Sequence, residues 1–122
     1  MSTVLVVEDE EQVRVLAEAI IQEAGHQTLT ASDLPEALAV ITGDGAVDLL
    51  FTDIQLKDAE HGGIEVAQEA LKHRPGLKVL YTTGGNVTDG TRALFVDGAA
   101  VLQKPYLPAD LTDAVNKRLA AK

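Results

Sequence analysis

The sequence predicts an α/β fold, a doubly wound parallel sheet of five strands. Three observations predict it. Short apolar runs alternate with stretches of helical spacing along the whole chain. The runs are continuous, as suits strands covered on both faces. The 122 residues are enough for five such βα units within one ordinary domain.

Each element has its own signal. Val4-Leu5-Val6-Val7 is the first buried strand. Residues 10 to 24 place Val13, Leu16, Ala17, Ile20 and Ile21 at helical spacing, and Gly25 stops that helix. Gln27 to Ala31 alternates as a weaker strand. Asp33-Leu34-Pro35-Glu36 is an N-cap with a glutamate at the third helical position, opening a helix through Ile41. Gly43-Asp44-Gly45 is a turn. Val47 to Thr52, around Leu49-Leu50-Phe51, is the third and most buried strand. A polar loop runs from Gln55 to Gly63, and Ile64 to Lys72 is helical with Ile64, Ala67 and Leu71 on one stripe. Pro75-Gly76 turns into a fourth strand, Leu77 to Tyr81. A short helix covers Thr88 to Val96 and ends before Gly98. Ala99 to Leu102 is the fifth strand. Pro108 opens the last helix, whose stripe is Leu111, Ala114, Val115 and Leu119. Strict alternation implies a parallel sheet with helices on both faces. Five strands of this length favour the flavodoxin-like (βα)5 order 2-1-3-4-5.

Composition limits the function. Ten Lys and Arg against nineteen Asp and Glu give a formal charge of −9. That balance argues against nucleic acid and anionic membrane surfaces as partners, since both are bound by cations. The absence of cysteine excludes disulfides, thiolate metal sites and cysteine nucleophiles. No run reaches the length of a membrane span and no basic leader precedes the first strand. A cytoplasmic protein is expected, with residues 1–122 forming one domain and no output domain.

In open parallel sheets ligands bind beyond the carboxyl ends of the strands, here at the switch point between strands 1 and 3. Strand 1 is followed by Glu8, Asp9, Glu10 and Glu11, and strand 3 by Asp53. Strand 4 leads to Thr82 and Thr83, strand 5 to Lys104-Pro105. Clustered carboxylates repel unless a cation joins them. Mg²⁺ suits such a site, taking one or two carboxylates and leaving positions for water and phosphate oxygens. Lys104 offers a point charge for a phosphoryl group and Thr83 a hydroxyl donor. An aspartate beside Mg²⁺ can act as a nucleophile toward phosphorus. Glu10 and Glu11 are read instead as residues favouring the start of the first helix. His26, His61 and His73 lack ligand spacing and read as solvated surface residues.

These residues resemble the receiver domain of bacterial two-component response regulators. The parts that carry the resemblance are Val4 to Glu10, Asp53, Val79-Leu80-Tyr81-Thr82-Thr83-Gly84 and Lys104-Pro105-Tyr106. The resemblance implies that Asp53 accepts a phosphoryl group from a histidine kinase or phosphotransfer protein. Asp9 would bind Mg²⁺ directly, Glu8 through water, and the Gln55 carbonyl would be a further ligand. Lys104 would touch the phosphoryl group, the Lys104-Pro105 bond would be cis, and Thr83 would move toward the phosphate. Gly84 would leave the site open to the partner's histidine, while Gln55 and Gly85 would influence dephosphorylation. Signalling would pass to a downstream protein target, with a possible homodimer through helix 4, strand 5 and helix 5.

The chain departs from the family pattern in three places. Val101 stands where a switch aromatic is common. The loop after Asp53 lacks the usual Met-Pro and is longer. Gly98 to Lys104 is one residue tighter. Other functions fit less well. A haloacid dehalogenase-type phosphatase wants an acid two residues after the nucleophile, where Gln55 stands. A flavodoxin-type electron carrier needs a phosphate loop after strand 1, where four acids would repel the phosphate. A receiver fold kept only for phosphorylation-independent binding is the third alternative.

Overall fold

The computed structural model describes residues 2–56, 59–96 and 98–121. Its elements follow in the order β1 (Thr3–Val7), α1 (Glu11–Glu23), β2 (Gln27–Ala31), α2 (Leu34–Ile41) and β3 (Leu49–Asp53). They continue as α3 (Gly62–His73), β4 (Lys78–Thr83), α4 (Asp89–Arg92), β5 (Ala100–Gln103) and α5 (Pro108–Ala120). The five strands are parallel and ordered β2-β1-β3-β4-β5, the predicted order.

Alternation along each strand divides the core into two layers. Leu5 and Val7 of β1, Leu50 of β3 and Val79 and Tyr81 of β4 pack with Ala37, Ile41, Ile64 and Ala67 of α2 and α3. Val4 and Val6, Leu49 and Phe51, and Leu80 face the other way, onto Ala17, Ile20 and Ile21 of α1 and Leu111 and Val115 of α5. All five residues of β3 are buried. Burying a Leu, Ile or Phe side chain contributes roughly 1.5–3 kcal/mol, so these layers hold the strand ends in place.

Capping residues behave as expected at α2. Asp33 Oδ1 accepts from Glu36 N at 3.0 Å, and Glu36 Oε1 reaches back to Ser32 N at 2.8 Å. At α5, Asp110 Oδ2 accepts from Leu107 N at 3.1 Å and Pro108 fills the first helical turn.

Several boundaries and faces differ from the sequence reading. β3 begins at Leu49, because the Asp48 side chain takes the Thr3 N–H at 2.8 Å and Val47 falls outside the ladder. Thr82 and Thr83 belong to β4, and Gln103 to β5, since both strands run on to the carboxyl edge. Helix α3 starts earlier, at Gly62. The predicted helix over 88–96 is a single turn, α4, capped by Thr88 Oγ1 on Thr91 N. Gly90 and the β-branched Thr91 are weak helix formers. Past them, Phe95 packs on Tyr81 and Val96 N donates to the Tyr81 hydroxyl at 3.4 Å. A dimer face built on helix 4 therefore has only one helical turn to use. Leu16, placed on the buried stripe of the first helix, is exposed. His26 is not merely solvated: its Nε2 lies 2.9 Å from Asn116 Oδ1 of α5. Within the loop after Asp53, Lys57 and Asp58 lie outside the described residues, as does Asp97 before Gly98.

Candidate phosphoryl-acceptor site

Topology assembles the site. β3 lies between β1 and β4, and Asp53, its last residue, pairs with Thr82. β1 ends at Val7, so Glu8 and Asp9 leave the sheet beside Asp53. β4 ends at Thr83, paired with Gln103, and Lys104 follows β5. Residues far apart in sequence thus reach one edge of the sheet.

Lys104 lies between two carboxylates. Its Nζ is 2.7 Å from Glu8 Oε1 and 2.7 Å from Asp53 Oδ2. Glu8 is 3% exposed and Asp53 8%. Glu8, Asp9 and Asp53 each offer a carboxylate oxygen, and these oxygens lie within 4.8 Å of one another. Backbone donors orient the acids: Gln55 N donates to Asp53 Oδ1 and Glu10 N to Glu8 Oε2, each at 3.2 Å.

Seen from solvent, Asp9, Asp53, Gln55, Thr83, Gly84, Gly85 and Lys104 line one open cavity of about 400 Å³, with Glu10 at its rim. Glu8 is not among the lining residues and is reached through Lys104. The Lys104-Pro105 bond is cis. Val101 is partly buried and packs in the layer that holds Tyr81 and Phe95, whose rings are 4.6 Å apart. No switch aromatic occupies its position.

Electrostatics follow from this geometry. Burial pushes the Glu8 carboxyl up to about 7, with Asp9 adding to the rise and Lys104 and the Glu10 N–H offsetting part of it. Burial alone would lower the Lys104 ammonium, but its bonds to Asp53 and Glu8 and their charges more than compensate, leaving it raised and protonated. One ammonium is thus shared by Glu8 and Asp53, with the Asp9 carboxylate beside them.

Two residues that position the site went unassigned in the sequence reading. Gly63 N donates to Ile54 O at 2.8 Å. A Cβ at Gly63 would overlap the Asp53 carbonyl and crowd Ile54 Cα at 3.0 Å, so only glycine lets α3 approach β3 this closely. Arg14 of α1 reaches back, its Nη1 donating to the Glu8 carbonyl at 2.9 Å, and so anchors the turn that presents Glu8 and Asp9. The Gly62-Gly63 pair was visible as a loop end. A side chain bonded to a backbone carbonyl leaves no sequence pattern.

The sequence profile of the response regulator receiver domain matches residues 4–116. The chain belongs to the response regulator receiver domain family. This receiver domain is 30% identical over 109 residues to the uncharacterized transcriptional regulatory protein YrkP of Bacillus subtilis, covering 88% of this chain and 45% of that protein. It is 28% identical over 104 residues to the nitrogen assimilation regulatory protein NtrX of Azorhizobium caulinodans, covering 84% and 23% respectively. The chain therefore spans less than half the length of these two relatives. A solved receiver protein of Sinorhizobium medicae superposes with a TM-score of 0.87 at 26% identity, covering 98% of this chain and 95% of that one.

Proposed function

We propose that this receiver domain accepts a phosphoryl group on Asp53 from a histidine kinase or phosphotransfer protein and switches its protein contacts in response. One observation carries the reading: Lys104 Nζ lies 2.7 Å from both Glu8 and Asp53 while Asp9 brings a third carboxylate to the same point. A structural ion pair needs one acid. A site that receives a phosphoryl group needs an acceptor carboxylate, a cation for the incoming oxygens and room above them, and the open cavity supplies that room.

The donor set also fits a hard divalent cation. It is all oxygen and gathers three carboxylates around the single ammonium of Lys104. Asp9 and Asp53 would hold Mg²⁺ directly, with Glu8 through water and the Gln55 carbonyl beside them. Bound there, the ion would neutralise charge on the phosphoryl oxygens. The rest is done by the chain. An Asp53 carboxylate oxygen attacks phosphorus, an O–P bond forms, and the P–N bond to the donor imidazole breaks. Lys104 offsets the charge added at Asp53. The Thr83 hydroxyl, at the cavity wall, donates to a phosphoryl oxygen. Gly84 and Gly85 leave the approach open. Attack of water on the acyl phosphate releases inorganic phosphate and restores Asp53, which ends the signal; the domain's role in this reading is that of a signalling phosphoacceptor and not of a turnover enzyme.

A largely apolar hollow of about 600 Å³ adjoins the site, lined by Val13 and Leu16 of α1 and by Gly84, Lys104, Pro105 and Tyr106. It gives a partner protein a surface beside the acceptor carboxylate. No helix among the described residues is long and apolar enough to cross a membrane. Cytoplasmic placement and signalling through a separate downstream protein belong to this same reading.

Incubation with acetyl phosphate and MgCl₂ followed by intact-mass measurement tests it. The expected result is one phosphoryl adduct in the wild type and none in Asp53→Asn. A folded wild type that takes no adduct refutes the reading.

A further inference from the structure

Gln103 ends β5, immediately before Lys104. Its Nε2 donates to two carbonyls of the loop that carries the Thr83 hydroxyl, Thr83 O at 3.0 Å and Gly85 O at 3.1 Å. Lys104 N donates to the same Thr83 O at 2.8 Å. Within the loop, Gly85 N donates to Thr83 Oγ1 at 3.1 Å. Gly85 is therefore held at both its N–H and its C=O, and the Thr83 hydroxyl oxygen is engaged inside the loop.

A phosphoryl group on Asp53 changes the demand on Thr83. Its oxygens only accept, so the hydroxyl must donate to them. Rotating the Thr83 side chain into the cavity gives up the Gly85 N–H, and the Gln103 amide is then what restrains the loop. Gln103 lies two residues beyond Val101 on the same face of β5, the face that Tyr81 and Thr83 share on β4. Val101 offers only methyl groups and cannot grip the loop. Gln103 is also covalently next to Lys104, which bonds Asp53 directly.

We propose that Gln103 is a positioning residue of this switch: its carboxamide holds the Thr83–Gly85 loop in the arrangement that precedes phosphoryl transfer and releases it when Thr83 turns to the phosphoryl group. The inference rests on Asp53 being the acceptor. It places the link between the site and the edge strand β5 at Gln103, in a chain whose switch aromatic is replaced by valine.

The test compares wild type with Gln103→Leu, which keeps the side-chain bulk and removes both donors. Gln103→Met serves as a second donor-free variant should the leucine impair folding. Amide hydrogen exchange by NMR is expected to be about five-fold faster in the variant at Gly85, whose N–H is bonded within the loop, the scale of one net hydrogen bond. Exchange in β1 and β3 should be unchanged. Titration with beryllofluoride and Mg²⁺, which mimics a phosphoryl group on a carboxylate, should saturate the variant at about five-fold lower concentration. At saturation the loop resonances of the two proteins should coincide. Equal loop exchange, or a beryllofluoride midpoint that is unchanged or higher in the variant, overturns the inference. A folded wild type that does not respond to beryllofluoride overturns the acceptor reading and this inference with it, and that failure is visible without the variant.

Discussion

The two edges of the sheet use similar side chains to different ends. At the amino edge, Arg74 donates through Nε to the Ile41 carbonyl at 2.9 Å and through Nη2 to those of Gly43 and Gly45. Lys78 Nζ donates to Leu119 O at 2.6 Å, and on the neighbouring helix Arg118 Nε donates to Val79 O at 3.0 Å. These cations donate to neutral backbone carbonyls and keep their charge, and they tie helix ends, a turn and a strand together. At the carboxyl edge, Lys104 is shared by Glu8 and Asp53, with Asp9 beside them. There acidity exceeds the local positive charge, and the excess faces an open cavity. The first arrangement staples the fold. The second costs stability and is explained by chemistry. The cost lies mainly in burying charge, which is expensive unless fully paired.

The difference can be broken from either side. The largest effect is expected at Gly63→Ala, where the new Cβ must displace the Asp53 carbonyl. Unfolding by denaturant should show a loss of about 3 kcal/mol or more, with the acceptor geometry lost even where the protein folds. Next is Lys104→Met. Phosphorylation by acetyl phosphate, followed by mass, should slow about 100-fold, the scale seen when a charge-stabilising donor is removed. Mg²⁺ should also stabilise this variant more than wild type in thermal melts, since the acids have lost their internal cation.

Arg74→Ala tests the opposite edge. It should cost about 1–3 kcal/mol in denaturant unfolding, from charged hydrogen bonds lost, and leave the rate of adduct formation unchanged. A change in that rate would blur the distinction between the edges.

The smallest effect concerns pH. The Glu8 carboxyl rises from 4.5 to about 7 on folding. Between those values the folded state holds more protons than the unfolded state, so the Glu8 contribution to stability falls as pH rises through the window. In magnesium-free buffer, Glu8→Gln should therefore be neutral or slightly destabilising near pH 4. Near pH 8 it should be stabilising, by on the order of 1–2 kcal/mol, since the amide escapes the cost of burying charge but loses the Lys104 pair. Equal effects at both pH values would contradict the raised carboxyl.

Much of this was legible in the sequence because strand ends are. Val4 to Val7 and Leu49 to Phe51 read as buried runs, and the residues that follow them, Glu8, Asp9 and Asp53, inherit their position from the sheet order. The capping at Asp33 and Glu36 was equally plain. What escaped depends on packing and not on periodicity. The apolar Leu94, Phe95 and Val96 look like helix, yet the Tyr81 ring and hydroxyl hold Phe95 and the Val96 N–H, and the helix stops at Arg92. Leu16 falls on the apolar stripe of α1 by spacing, yet it lies at the mouth of the hollow beside Pro105 and Tyr106. The grips of Arg14, Gln103 and Arg74 on backbone carbonyls follow no sequence rule. The bridging of Glu8 and Asp53 by one lysine could be expected only as proximity, because its geometry is a product of the folded edge.

The central claim, that Asp53 receives the phosphoryl group, is tested most directly by trapping. An acyl phosphate is reduced by borohydride to an alcohol, which converts the acceptor aspartate to homoserine. After acetyl phosphate and MgCl₂, peptide sequencing by mass spectrometry should find homoserine at position 53, with Glu8 and Asp9 intact. A phosphorylated protein whose reduced residue lies at Asp9 or Glu8, or anywhere other than Asp53, would contradict the account.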